Sequence, residues 1–238
     1  MSRRAKFWIA FALLVACAVL IRSALVERRN DNGYLRPVRA SRNPMLNAYD
    51  AEWRKLLSVS PGNVARFAFR PSFRPEAVAA ISGNGEGGAP YRLTCTHAKK
   101  QIWSTLYSAL EAGAPLSSPP DIERREVTLR EDVAIAVGAA WRAMLNLPRR
   151  DVDSYGLDGE NYEFSISDPG SNTTVVGTAW TPQPGRVADL TKIGQLLLAY
   201  CEADDIARSK LDREIISMSQ LLPRETWLPR LTMGWSGP

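Results

Sequence analysis

A chain of 238 residues with 45% hydrophobic residues, 23% charged residues and 7 tryptophans has the composition of a globular protein, which excludes a disordered or fibrous one. Its net charge of +5 is unevenly placed: six of the 30 bases and two of the 25 acids fall before Asn32, leaving 24 bases against 23 acids for the rest. A near-neutral domain lacks the field that gathers phosphates, so the composition argues against a nucleic-acid partner.

Phe7 to Ile21 is an uncharged apolar run, preceded by Arg3, Arg4 and Lys6 and closed by Arg22. Basic residues ahead of such a run hold the N-terminus in the cytoplasm and send the downstream chain across the membrane. Three fates stay open for residues 1–26. Left uncut, the stretch to Val26 is long enough for a short span of roughly 20 residues, with Arg22 reaching to the interface. Leu14-Val15-Ala16-Cys17 has the form of a bacterial lipobox, in which Cys17 would be lipidated. Ala16-Cys17-Ala18 also fits an ordinary cleavage site; against both processing readings, the apolar run continues to Ile21. The expected address is therefore the inner membrane, by one N-terminal span with a periplasmic domain, with a lipoprotein or a secreted periplasmic protein as alternatives.

Residues 27–43 are polar and without period, which reads as a tether, and a single globular domain is expected over residues 44–238. Pro44 opens a helix in which Leu46, Tyr49, Trp53, Leu56 and Leu57 form a stripe, stopped by Ser60-Pro61-Gly62. From Asn63 the period becomes two. Ala65, Phe67 and Phe69 alternate with Arg66, Ala68 and Arg70 in a strand, and Ala77–Ser82 and Tyr91–His97 form a hairpin about a glycine-rich loop. A helix is expected from about Lys99 to Ala112, then the end of a strand at Val127 and Leu129. Thr128 with Glu131 reads as a capping box for a helix lined by Val133, Val137, Ala140, Trp141 and Met144.

Tyr162, Phe164 and Ile166 mark another half-buried strand, with Thr173–Trp180 as its partner. Val187–Tyr200 is apolar almost all round and so predicts a buried helix. Asp204 and Asp205 open a last helix with Leu211, Ile215, Met218 and Leu222 on one face, and the tail holding Trp227 and Trp235 reads as a wrapping segment. The sum is an α+β fold: an antiparallel sheet of about five to six strands packed by about five helices, preceded by an apolar anchor or signal helix.

Leu157-Asp158-Gly159, the strand with Tyr162 and Phe164, the strand ending Trp180-Thr181-Pro182 and the helix with Leu190, Ile193 and Leu197 together resemble a loose group of exported proteins of Gram-negative bacteria with no assigned function. The likeness covers roughly residues 125 to 202. It implies an envelope address and no catalytic residue.

Candidate chemistry is sparse. Gly83-Asn84-Gly85-Glu86-Gly87-Gly88 satisfies the glycine string of dinucleotide sites, but that mechanism needs a helix after the loop, and a strand comes next here. His97 is the only histidine, so no site with two imidazole ligands exists within one chain. Cys95 and His97 share a strand face and permit a thiolate-imidazole pair. Against that, Cys95 and Cys201 are the two cysteines left once Cys17 goes with the leader, and an even pair in an exported domain reads as a disulfide. Asp158, Glu160 and Glu163 are read as a solvated turn and strand face before paired acid-base carboxylates. Trp103, Trp141 and Trp180 are read as core before a sugar or peptide groove. No cofactor, metal or catalytic residue is assigned. The expected function is a membrane-tethered envelope protein with a non-catalytic binding or scaffolding domain and an envelope protein as partner; the alternative is a small periplasmic hydrolase with a cryptic site.

Overall fold

The structure, a computed structural model, describes residues 33–38, 41, 43–58, 63–83, 89–111, 120–147, 159–168 and 173–222. The apolar leader with Cys17, most of the expected tether, Asn84 to Gly88, Asp158 and the tail with Trp227 and Trp235 lie outside these residues.

Among the described residues the fold has six strands and five helices in the order α1 (Pro44–Leu56), β1 (Asn63–Pro71), β2 (Ala77–Ser82), β3 (Tyr91–Ala98), α2 (Ile102–Glu111), β4 (Ile122–Leu129), α3 (Glu131–Leu145), β5 (Glu160–Asp168), β6 (Thr173–Trp180), α4 (Arg186–Glu202) and α5 (Asp205–Leu221). The strands form one sheet, β4-β3-β2-β1-β5-β6, antiparallel at every step. This is the α+β architecture the periodicities predict. The N-terminal apolar helix falls outside the described residues, and no helix among those described is long and apolar enough to cross a membrane.

Alternation in β1 sorts the two faces. Ala65 and Phe67 join Leu93, Cys95, Tyr162, Phe164 and the apolar sides of α3 and α4 in the larger core. Helix α3 lies over β1, β5 and β6, α4 over β2, β3 and β4, and α5 packs on both helices. A polar tie joins the three: Arg130, just before α3, lies 3.6 Å from the buried Asp212 of α5. Burial and then Asp212 push the Tyr200 hydroxyl of α4 up to about 12. On the opposite face α1 and α2 cover a smaller core of Trp53, Leu57, Ala68, Val78, Ala98, Ile102 and Leu106. Burying a side chain of this class contributes roughly 1.5–3 kcal/mol.

Local chemistry accounts for most boundaries. Asn43 Oδ1 accepts from Met45 N at 2.9 Å ahead of Pro44, and Asp204 Oδ1 accepts from Ala207 N at 2.8 Å at the start of α5. Helix α2 has its first amides capped from a distance: buried Glu76 accepts from Ile102 N at 2.8 Å, Trp103 N at 3.2 Å and the Tyr49 hydroxyl at 2.9 Å.

Two expectations are corrected. Thr128 caps nothing, because β4 continues through Leu129 opposite Tyr91 and the cap position falls to Arg130, which makes no side-chain capping bond. Val127 and Leu129 close β4 as expected; its start at Ile122 carries no signal because the charged run Glu123-Arg124-Arg125-Glu126 obscures the two-residue period on an edge strand that such charges protect from further pairing. The fold also begins before Pro44. Leu35 is 1% exposed within the larger core, and Arg36 exchanges two backbone hydrogen bonds of 2.8 Å with Thr178 of β6.

Candidate functional site

The sheet brings the singled-out residues to three places. At the β3 edge of the larger core, Cys95 and Cys201 stand as a disulfide, with sulfurs 2.09 Å apart and Cα atoms 6.3 Å apart. That Cα separation lies inside the range a disulfide demands. Cys95 therefore offers no thiolate to His97, which removes the thiolate-imidazole pair. His97 shares the strand face but turns toward the end of α4. Its Nε2 lies 4.0 Å from Glu202 Oε1 and, though buried, has no hydrogen-bond partner. Arg125 bridges Glu202 at 2.5 Å and Glu123 at 2.7 Å beside it. Burial lowers the His97 pKa; Glu202 and Glu123 oppose that, and Arg125 reinforces it.

The second place is on the opposite face, between α1 and strands β1 and β5. Glu163 is 1% exposed, which corrects its reading as a solvated strand residue. Arg54 of α1 donates to it at 3.0 Å and Arg66 of β1 at 2.8 Å, while Arg70 pairs with Asp50 of α1. All three guanidinium carbons surround the buried Trp53 ring, 5.5, 4.9 and 5.0 Å from its centroid for Arg54, Arg66 and Arg70. Burial pushes the Glu163 carboxyl up, but Arg54, Arg66 and Arg70 outweigh it and hold the group below its ordinary value. Burial also lowers the Arg66 pKa against the pull of Glu163. Arginine keeps its proton regardless, so the cluster is an ionised network. Its chemistry is mutual charge compensation.

The third place is the sheet end where β5 begins and β6 stops. Thr181 has φ of +37°, unusual for a β-branched residue. It is held there by two bonds to Glu160: its N donates to the Glu160 carbonyl at 2.8 Å, and its Oγ1 accepts from Glu160 N at 3.1 Å. A Cβ on Gly159 would meet Thr181 Oγ1 at 2.5 Å and the Trp180 ring at 2.8 Å, so only glycine fits. The described parts of Leu157-Asp158-Gly159 and Trp180-Thr181-Pro182 thus meet in one clasp. Beside it the Tyr162 hydroxyl donates to Glu160 and accepts from Gln195 Nε2 at 3.3 Å, and Arg74, stacked on Phe69, pairs with Glu160.

The remaining candidates do not converge. Glu160 shares the Tyr162 face of β5 and Glu163 faces the other way, so these two carboxylates do not pair across one site; Asp158 lies outside the described residues. Trp141 is buried under α3 with its indole N–H on Arg66 O at 3.1 Å, Trp103 stacks edge-on against Tyr49 on the other side of the sheet, and Trp180 sits in the clasp. Past the glycine string, Ala89 and Pro90 lead into β3, where the phosphate mechanism requires a helix N-terminus. No group of three or more metal-ligating side chains occurs among the described residues. Sequence reasoning missed the convergence of Arg54, Arg66, Arg70 and Asp50 on Glu163 and Trp53. The available signal was a pair of arginines at Arg66 and Arg70 on the same face of a central strand.

No protein-family model, curated protein or solved structure matches the chain.

Proposed function

We propose that the protein is a membrane-tethered bacterial envelope protein whose periplasmic domain binds or scaffolds another envelope component and performs no chemistry of its own. The Cys95–Cys201 pair carries the reading. A cross-link between the central hairpin and the last turn of α4 belongs to a protein that folds in an oxidising compartment, and the basic, apolar leader supplies the route there. On the α1 face Glu163 is held by Arg54 and Arg66 and Asp50 by Arg70, which suits a domain whose polar groups hold a shape. Phe73, 77% exposed in the β1–β2 turn beside Arg74, is a large aromatic side chain presented to a partner.

Alkaline phosphatase fused after Pro238 is expected to be active, since that enzyme needs the same oxidising compartment. A fusion that is expressed but inactive overturns the export reading. For binding, a photo-cross-linker at Phe73 is expected to trap one discrete envelope component in whole cells, lost when Arg74 is replaced by Glu. Trapping of nothing from Phe73 and the neighbouring exposed positions overturns it.

A further inference from the structure

Two buried N–H donors in the charged layer under α1 have no acceptor among the described residues: the indole Nε1 of Trp53 and the Nε of Arg70. Trp53 is 0% exposed and the Arg70 side chain 10%. Both belong to one contact, since the Arg70 guanidinium lies over the Trp53 ring, 5.0 Å from its centroid. Donors buried in this way are costly to leave unpaired. The carboxylates of the layer are already engaged. Glu163 holds Arg54 at 3.0 Å and Arg66 at 2.8 Å, Asp50 takes Arg70 through Nη1, and Glu76 takes the amides of Ile102 and Trp103 and the Tyr49 hydroxyl. We propose that the Trp53–Arg70 contact is a binding site for one small monovalent anion of the halide class, held by these two N–H groups.

The chemistry of the two groups selects the class of ligand. A buried water brings two donors of its own and settles where acceptors as well as donors are open. Here both open groups are donors, and the orphaned hydroxyl on this face that could accept or donate, Thr96 Oγ1, stands opposite Val78 on β3, two strands from β1. An anion needs only donors. The guanidiniums of Arg54, Arg66 and Arg70, 5.5, 4.9 and 5.0 Å from the ring centre, supply the positive field. Single charge follows from the company the ion keeps: a divalent sulfate or phosphate would meet the Glu163 and Asp50 carboxylates where water screens them little. Small size follows from burial, since a group carried on a partner chain does not reach a wholly covered indole. Arg54 and Asp50, 47% and 35% exposed, mark the side from which a free ion enters.

The test uses the full chain in a non-ionic detergent, with chloride exchanged for gluconate at constant ionic strength. Chloride is expected to raise Tm saturably, by about 2–4 °C at several times its Kd, and sulfate to give no such rise. Arg70→Lys keeps the charge and loses the Nε donor, while Trp53→Phe keeps an aromatic ring and loses the N–H. Each is expected to abolish the chloride dependence. A Tm equal in chloride and gluconate overturns the site. An equal rise with sulfate, or a chloride effect that survives in either variant, marks a general salt effect and overturns it as well. Should the variants not fold, bromide decides on the unaltered chain. Anomalous scattering from crystals grown in bromide is expected to place one ion within hydrogen-bonding distance of Trp53 Nε1 and Arg70 Nε, and a map with no ion there overturns the proposal.

Discussion

Strand β1 sends Phe67 to one side and Arg66 and Arg70 to the other, and the layers built on those residues differ in kind. The three-helix side is apolar and is closed by a covalent bond between β3 and α4. The two-helix side is thinner, holds its indole among three guanidinium groups, and buries a carboxylate to balance them. Specificity resides in the second layer. Apolar area drives the first layer to collapse in any register that fills it, whereas the second assembles only when Arg54, Arg66 and Glu163 meet, because an unpaired buried charge is costly.

The apolar layer depends most on its disulfide. Cys95 and Cys201 are 106 residues apart, and in the chain-entropy model closing a loop of that order stabilises by about 4.7 kcal/mol, less any strain. Replacing both with Ala is expected to lower the urea unfolding free energy of the oxidised protein by about 4 kcal/mol, with reduced wild type falling to the same level. A loss under about 1 kcal/mol would show that the apolar layer needs no staple. Next is the charged layer. Glu163→Gln leaves Arg54 and Arg66 without their buried counter-charge and is expected to cost about 3 kcal/mol, at the low end for such losses because Arg54 is half exposed. Adding Arg66→Met should recover part of that loss, since the excess charge then falls. If the single substitution costs nothing by urea denaturation, the cluster is hydrated surface and the contrast between the faces fails.

Legibility in the sequence obeys the same divide. Alternation at Ala65, Phe67 and Phe69 and at Tyr162, Phe164 and Ile166 marks the apolar face, because burial there is set by each residue's own hydrophobicity. The cysteine pair is open to reading from number and compartment alone. Glu163 escapes such reading because its partner Arg54 comes from a helix 109 residues earlier, and period two separates faces without saying which charges the far face buries. Leu35 escapes it since one buried residue in a polar stretch has no period, and its complement, the missing side chain of Gly177, lies far along the chain. The clasp of Gly159 with Thr181 is visible only as two short strings whose meeting depends on β5–β6 register.

The smallest expected effect comes from His97, on the apolar face but at its charged rim. The ring is 30% exposed, with Nε2 buried and unpartnered 4.0 Å from Glu202. Burial depresses its pKa below the ordinary 6.5, although Glu202 and Glu123 pull upward. The unfolded chain then binds the proton more readily than the folded one, so stability rises with pH across the window between the two values. The contribution is complete above about pH 6.5, is lost as the pH falls below that toward the depressed folded value, and falls no further beneath it. Partial exposure keeps the size below about 1 kcal/mol. His97→Gln is expected to flatten this acid-side slope when urea unfolding free energies are compared at about pH 7.5 and about pH 5.5, on either side of the ordinary imidazole value. If wild type instead gains stability over the variant on acidification, the Glu202 and Glu123 carboxylates outweigh burial, and the rim behaves like the charged face rather than the apolar one.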